Sequence, residues 1–156
     1  MTTYFDKRGK GNTAEVARLA LDRAKELGID YIVVASNTGF TARHFQGKGP
    51  KVVCVTHQIG FKEPGADEMG PAVRKELKDA GMEVLTTTHL FGNVERAVTQ
   101  QQGGLYVGGV MSAALRMFSQ GTKVAIEVSV MALDAGLIPF GQPIIAVGGS
   151  GGGAVI

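Results

Sequence analysis

Apolar and polar positions along the chain alternate between a helical period and short uninterrupted apolar runs. The segment "NTAEVARLALDRAKELG" places Val16, Leu19, Ala20, Ala24 and Leu27 on one helical face. Asn12 is positioned to cap that helix, Glu15 has the spacing of a capping box, and Gly28 stops it. "YIVVAS" follows at once, β-branched and too short for a helix, which predicts a strand covered on both faces. "TARHF" predicts one or two helical turns. "KVVCVTH", Lys51 to His57, predicts a second strand, and "GPAVRKELKDAG" a helix with Pro71 at its first position and Gly81 past its end.

The remaining pattern continues the alternation. "MEVLTTTH", Met82 to His89, reads as a third strand and "VERAVTQQQ" as a helix. In "GGVMSAALRMFSQG" the residues Val110, Ala113, Ala114 and Met117 recur at helical spacing. "TKVAIEVSVMALDAG" has a β-branched first half. Val124, Val128, Met131 and Ala135 nevertheless share one face, which predicts a helix ended by Gly136. "QPIIAVGG" is a short buried strand. Helices alternating with parallel-type strands predict a single α/β domain over 1–156, a three-layer α/β/α sandwich with a mostly parallel sheet.

In such sheets ligands bind beyond the carboxyl ends of the strands. Those ends deliver Ser36, Asn37, Thr38, Gly39, Phe40 and Thr41 after the first strand and Thr56 and His57 after the second, with Gly60 and Phe61 behind. The third delivers Thr88 and His89, the last Gly148, Gly149 and Ser150. An oxyanion needs donors converging from one side, and the hydroxyls of Ser36, Thr38 and Thr41, the helix amides and the compliant Gly39 supply them. Capping alone would need one hydroxyl rather than three, so the loop is read as an anion site.

Other features are less committed. "GGSGG" has the spacing of a nucleophile elbow but only four residues after it, and it lacks the lysine of a phosphate-binding Walker loop; a ligand cradle and a flexible loop both remain open. His57 and His89 lack an evident third metal ligand, leaving hydrogen bonding to a ligand or acid–base work. Glu63, Asp67 and Glu68 read as solvated loop charge. Glu127 interrupts an apolar helix, and is either at its solvent edge or paired for a purpose.

Composition alters the picture little. Hydrophobic residues make up 44% and charged residues 19% of 156, within the range of globular proteins. The net charge of +2 names no partner, and "DKRGK", Asp6 to Lys10, reads as a solvated arm rather than a nucleic-acid contact. Neither a leader nor a membrane span is evident, so a cytoplasmic location is expected. Cys54, the single cysteine, reads as a small core residue. Glycine is in excess, 23 residues, concentrated at element ends.

"IVVASNTGFTARHF" followed by "KVVCVTH" resembles the C-terminal domain of pyruvate kinase, a regulatory domain in which this loop can hold an effector's phosphate. Over most of its length the chain is similar to the stand-alone proteins named after the pyruvate kinase alpha/beta domain, in "NTAEVARLALDRAKELGI", "TGFTA", "VTHQIGF", "THLFGNVERAV" and "KVAIEVSVMALDAG". Those proteins lack the catalytic barrel, so pyruvate kinase activity is not implied. The resemblance implies an FMN site, with the phosphate at Ser36 to Thr41 and the flavin ring toward the loops carrying Thr56, His57, Gly60, Phe61 and His89. It also implies further chain beyond Ile156, which would close the site near Gly149 and Ser150.

The expectation is therefore a small FMN-binding protein, with a flavin-dependent oxidoreductase role and homo-oligomerisation left open. The alternative is a non-catalytic sensor or regulatory module for a phosphorylated metabolite. A third class is a scaffold whose glycine loops are only turns.

Overall fold

The computed structural model describes residues 2–7, 9–150 and 153–155. A 3-10 turn, Lys10–Asn12, leads into α1 (Thr13–Leu27), followed by β1 (Tyr31–Ala35), α2 (Phe40–Arg43), β2 (Lys51–Val55), α3 (Pro71–Asp79) and β3 (Glu83–Leu85). Then come α4 (Val94–Gln102), α5 (Val107–Arg116), α6 (Gln120–Asp134), β4 (Ile145–Ser150) and β5 (Gly153–Val155). The sheet runs β3-β2-β1-β4-β5, with the first four strands parallel and β5 antiparallel to β4.

Both faces of the parallel strands are covered, which is why their sequences are continuous rather than alternating. Ile32, Val34, Val52 and Cys54 pack beneath Val16, Ala17, Ala20 and Ala24 of α1, with Phe45 and Leu77 beside them. Val33, Val53 and Val55 point the other way, under Val128, Met131 and Ala132 of α6. These are the three expected layers. Cys54 is a core residue as expected: its Sγ lies 3.6 Å from Ser36 O, and desolvation pushes its pKa up to about 12.

Several local expectations fail for physical reasons. Asn12 has helical backbone angles inside the 3-10 turn, so its side-chain amide donates to Lys7 O at 2.7 Å instead of capping α1. Glu15 pairs with Arg18 rather than closing a capping box. The third strand stops at Leu85 instead of His89, because its only neighbour, β2, ends opposite it at Val55. Over its described residues the glycine-rich end is a paired strand rather than a loose loop. Gly148, Gly149 and Ser150 pair with Val155, Ala154 and Gly153 in an antiparallel hairpin; Gly151 and Gly152 lie outside the described residues.

Gly148 has a separate reason to lack a side chain. A Cβ there would sit 2.1 Å from Gly121 O and 2.6 Å from Ala125 N. Helix α6 thus rides on β4 backbone to backbone. Gly148→Ala forces these elements apart, and overpacking of this kind costs about 1–3 kcal/mol or more. The midpoint of urea unfolding should fall accordingly, with its slope unchanged.

Candidate functional site

A cleft of about 720 Å³ opens past the carboxyl ends of β1, β2 and β4. Its walls come from the loops after β1, β2 and β3 and from the inner faces of α4, α5 and α6. Of the expected site residues, Ser36, Asn37, Thr38, Phe40, Thr41, Thr56, His57, Phe61, His89 and Gly149 line it. Gly39 and Gly60 do not. Gly39 has φ +81°, and a Cβ there would lie 2.5 Å from Val73 Cγ1, so its glycine serves a turn packed against α3. Gly60, φ +79°, donates its N–H to Ala66 O and closes the loop after β2. Ser150 ends β4, and its side chain lies outside the described residues.

The loop after β1 divides its labour differently from the expectation. Ser36 is buried, and its Oγ accepts from the N–H groups of Thr41 at 3.2 Å and Ala42 at 3.3 Å. The amides expected to hold a phosphate are thus spent on Ser36, which acts as a cap for the single turn of α2. Thr38 is exposed and Thr41 half-buried beside the cleft, and their hydroxyls have no hydrogen-bond partner among the described residues.

After β2 the side chains form a linked cluster. Thr56 Oγ1 lies 2.7 Å from Thr86 Oγ1 and donates to His57 O at 2.9 Å, a tie between neighbouring strands. His57 Nδ1 lies 2.5 Å from Glu68 Oε2. Lys62 Nζ is 2.6 Å from the other carboxylate oxygen, an ion pair off the line of a hydrogen bond. Burial works to raise the pKa of Glu68, but its contacts with Lys62 and His57 outweigh that and hold the carboxyl below its ordinary range. Asp67 pairs with Arg74 at 2.8 Å. Glu68 is therefore not the solvated loop charge that the sequence suggested.

Phe61 stacks on His57 with ring centroids 3.9 Å apart, and Arg96 lies over its ring at 5.7 Å. His89 stands 5.3 Å from His57, centroid to centroid. His89 Nε2 accepts from Gln58 N at 3.4 Å, and Gln58 Oε1 accepts from His89 N at 3.2 Å. Desolvation lowers the pKa of His89; Glu127 opposes this, while His57, Lys123 and Arg96 reinforce it.

The cleft floor carries a feature the sequence left undecided. Lys123 and Glu127, one turn apart on α6, are both buried, with Lys123 Nζ 2.5 Å from Glu127 Oε2. Glu127 Oε1 accepts from Phe91 N at 3.1 Å, and Lys123 lies over the Phe91 ring at 5.4 Å. The "paired" alternative for Glu127 holds.

Sequence reasoning missed the charge of the site. Lys10, Lys62, Arg96, Arg116 and Lys123 line the cleft against the carboxylates Glu68 and Glu127. Both carboxylates are already paired, with Lys62 and Lys123. Among the described residues, Lys10, Arg96 and Arg116 face the cleft without a carboxylate partner. Lys10 sits over the Phe40 ring at 5.5 Å, so the last residue of "DKRGK" belongs to the wall of the cleft. No single stretch of sequence carries this signal, because the three cations come from the 3-10 turn, α4 and α5. Among the described residues no three His, Cys, Asp or Glu side chains converge as metal ligands, and no helix is long and apolar enough to cross a membrane.

The profile of the family described as "Pyruvate kinase, alpha/beta domain" matches residues 14–155. Among solved structures, a pyruvate kinase from Cryptosporidium parvum is 20% identical with a TM-score of 0.48, and covers 91% of this chain and 21% of its own. The pyruvate kinase of the same organism in complex with ADP is 21% identical with a TM-score of 0.43, covering 91% and 22%. The chain spans about a fifth of the length of those enzymes.

The family match overturns the expectation of FMN and of a flavin-dependent oxidoreductase, since it identifies a pyruvate kinase domain and not a flavoprotein. The local geometry removes two supports of that expectation. The Thr41 and Ala42 amides are taken by Ser36, and the Phe61 ring is stacked against His57 beneath Arg96.

Two outcomes test this description. His89 takes up its proton less readily folded than unfolded, so the unfolded chain gains protons first as pH falls through the ordinary histidine value of 6.5. Stability should decline across that window, and a pH series of urea midpoints should show a shallower decline in His89→Gln. Separately, Lys123→Met leaves the Glu127 carboxylate buried without its counter-charge, a change costing about 3–5 kcal/mol. Lys123→Met combined with Glu127→Gln should recover a large part of that loss in a double-mutant cycle.

Proposed function

This chain belongs to the pyruvate kinase alpha/beta domain family, and from that premise we propose that it is a regulatory binding module whose cleft takes a small phosphorylated metabolite. The observation that carries the reading is the set of three cations, Lys10, Arg96 and Arg116, facing the cleft without carboxylate partners among the described residues. A phosphoryl group brings the opposite charge and several acceptor oxygens, and Arg offers it a planar fork of donors. Thr38 and Thr41 add hydroxyls on the β1 side, so an anion bridging the cleft meets donors from both walls. The volume of about 720 Å³ suits a metabolite-sized guest.

His57 favours a second reading, acid–base chemistry on the bound compound, because Glu68 fixes its ring through Nδ1 as a carboxylate does in hydrolytic dyads. The two readings differ in what is recovered after binding. A metabolite returned unchanged, as followed by phosphorus NMR, supports the binding module; a chemically altered one supports the second.

The first test is thermal unfolding with inorganic phosphate and a panel of sugar phosphates, each beside its unphosphorylated parent. A binding member raises the melting temperature, because a ligand held only by the folded state stabilises it by about 2.7 kcal/mol at a hundred times its Kd. The parents should have no effect. Lys10→Ala and Arg96→Ala should each weaken binding roughly tenfold to a hundredfold, the span of about 1.5–3 kcal/mol for a charged hydrogen bond. No response to any phosphorylated member would overturn the proposal.

A further inference from the structure

Helices α4 and α5 have their polarity reversed with respect to their own domain. An amphipathic helix of a globular protein normally turns its apolar stripe to the core and its polar side to water. On α5 the polar Ser112 and Arg116 face inward to the cleft, and Ser112 is the only buried residue of that helix. Val107, Val110, Met111 and Ala114 recur on the opposite side, where all four are exposed. On α4 no residue is buried; Arg96 reaches the cleft while Val94 and Val98, one turn apart, are exposed. The face expected from the spacing of Val110, Ala113, Ala114 and Met117 thus exists, but it points away from the core.

We propose that this outer face is the contact between two copies of the chain, with α5 packed against α5 of the second copy. Two observations favour a second copy as occupant. No charged residue occurs between Arg96 and Arg116, so the surface offers a different partner no charge to read, whereas a uniformly apolar stripe is complementary to itself across a two-fold axis. The area also suffices. Val94, Val98, Leu105, Val110, Met117 and Phe118 are exposed at 53% to 90%, a supply comparable to the roughly 800 Å² each partner gives to a standard interface. Helices of 9 and 10 residues are marginal on their own and gain most of their stability from packing. Covering the stripe supplies packing that the domain itself does not. The association is independent of what the cleft binds, although it braces the two helices that carry Arg96 and Arg116.

Sedimentation equilibrium on the chain tests this directly. The expected species has twice the monomer mass of 16.3 kDa and dissociates on dilution. Val110→Glu and Met117→Glu, each checked for native circular dichroism, should sediment at the monomer mass. Should either variant fail to fold, hydrogen exchange on the unmodified chain decides: amide protection in α4 and α5 should fall as the protein is diluted. A monomer at every concentration overturns the proposal, even if the face captures detergent or another protein. So does a doubled mass that both natively folded variants retain, or α4–α5 protection that dilution leaves unchanged.

Discussion

The approach of α6 to β4 is the constraint on which the cleft depends. Gly148 lacks the side chain that would hold helix and strand apart, so α6 sits against the sheet with the backbone of Gly121 and Ala125 close upon it. That closeness carries Lys123 and Glu127 to the carboxyl ends of the strands, where Phe91 closes over them. A buried charge is tolerated only when paired and hydrogen-bonded, and the pair meets both conditions. Were α6 displaced by even one methyl group, the floor would lose its register with the loop after β3.

Much of the fold was legible because burial imposes its period on sequence. The runs at Ile32 to Val34 and Val52 to Val55 are continuous, and the sheet has helices on both faces of them. The face of α1 was read in part: Val16, Ala20 and Ala24 are buried as read, while Ala17 takes a core place and Leu19 and Leu27 do not. For α5 the same reasoning found the stripe and left open what it faces, and in the structure it faces outward. Periodicity reports that a face is apolar; it carries no information about which body covers it.

The site was legible in outline and misread in detail. Strand ends placed most of the expected residues on the cleft, as the topology of open sheets requires. Side-chain roles depended on contacts across distant segments. Ser36 caps α2, Phe61 leans on His57, and Glu68 is shared between His57 and Lys62. The cationic character was invisible because Lys10, Arg96 and Arg116 are scattered over the chain in a molecule whose net charge is only +2. Folding concentrates what composition averages away.

Cys54 lies in β2 with no access to water, its thiol held protonated by its surroundings. As the sole sulfhydryl of the chain, it can meet a modifying reagent only when the sheet parts around it. Its rate of reaction is thus a clock on the opening of the innermost layer, read without any introduced probe.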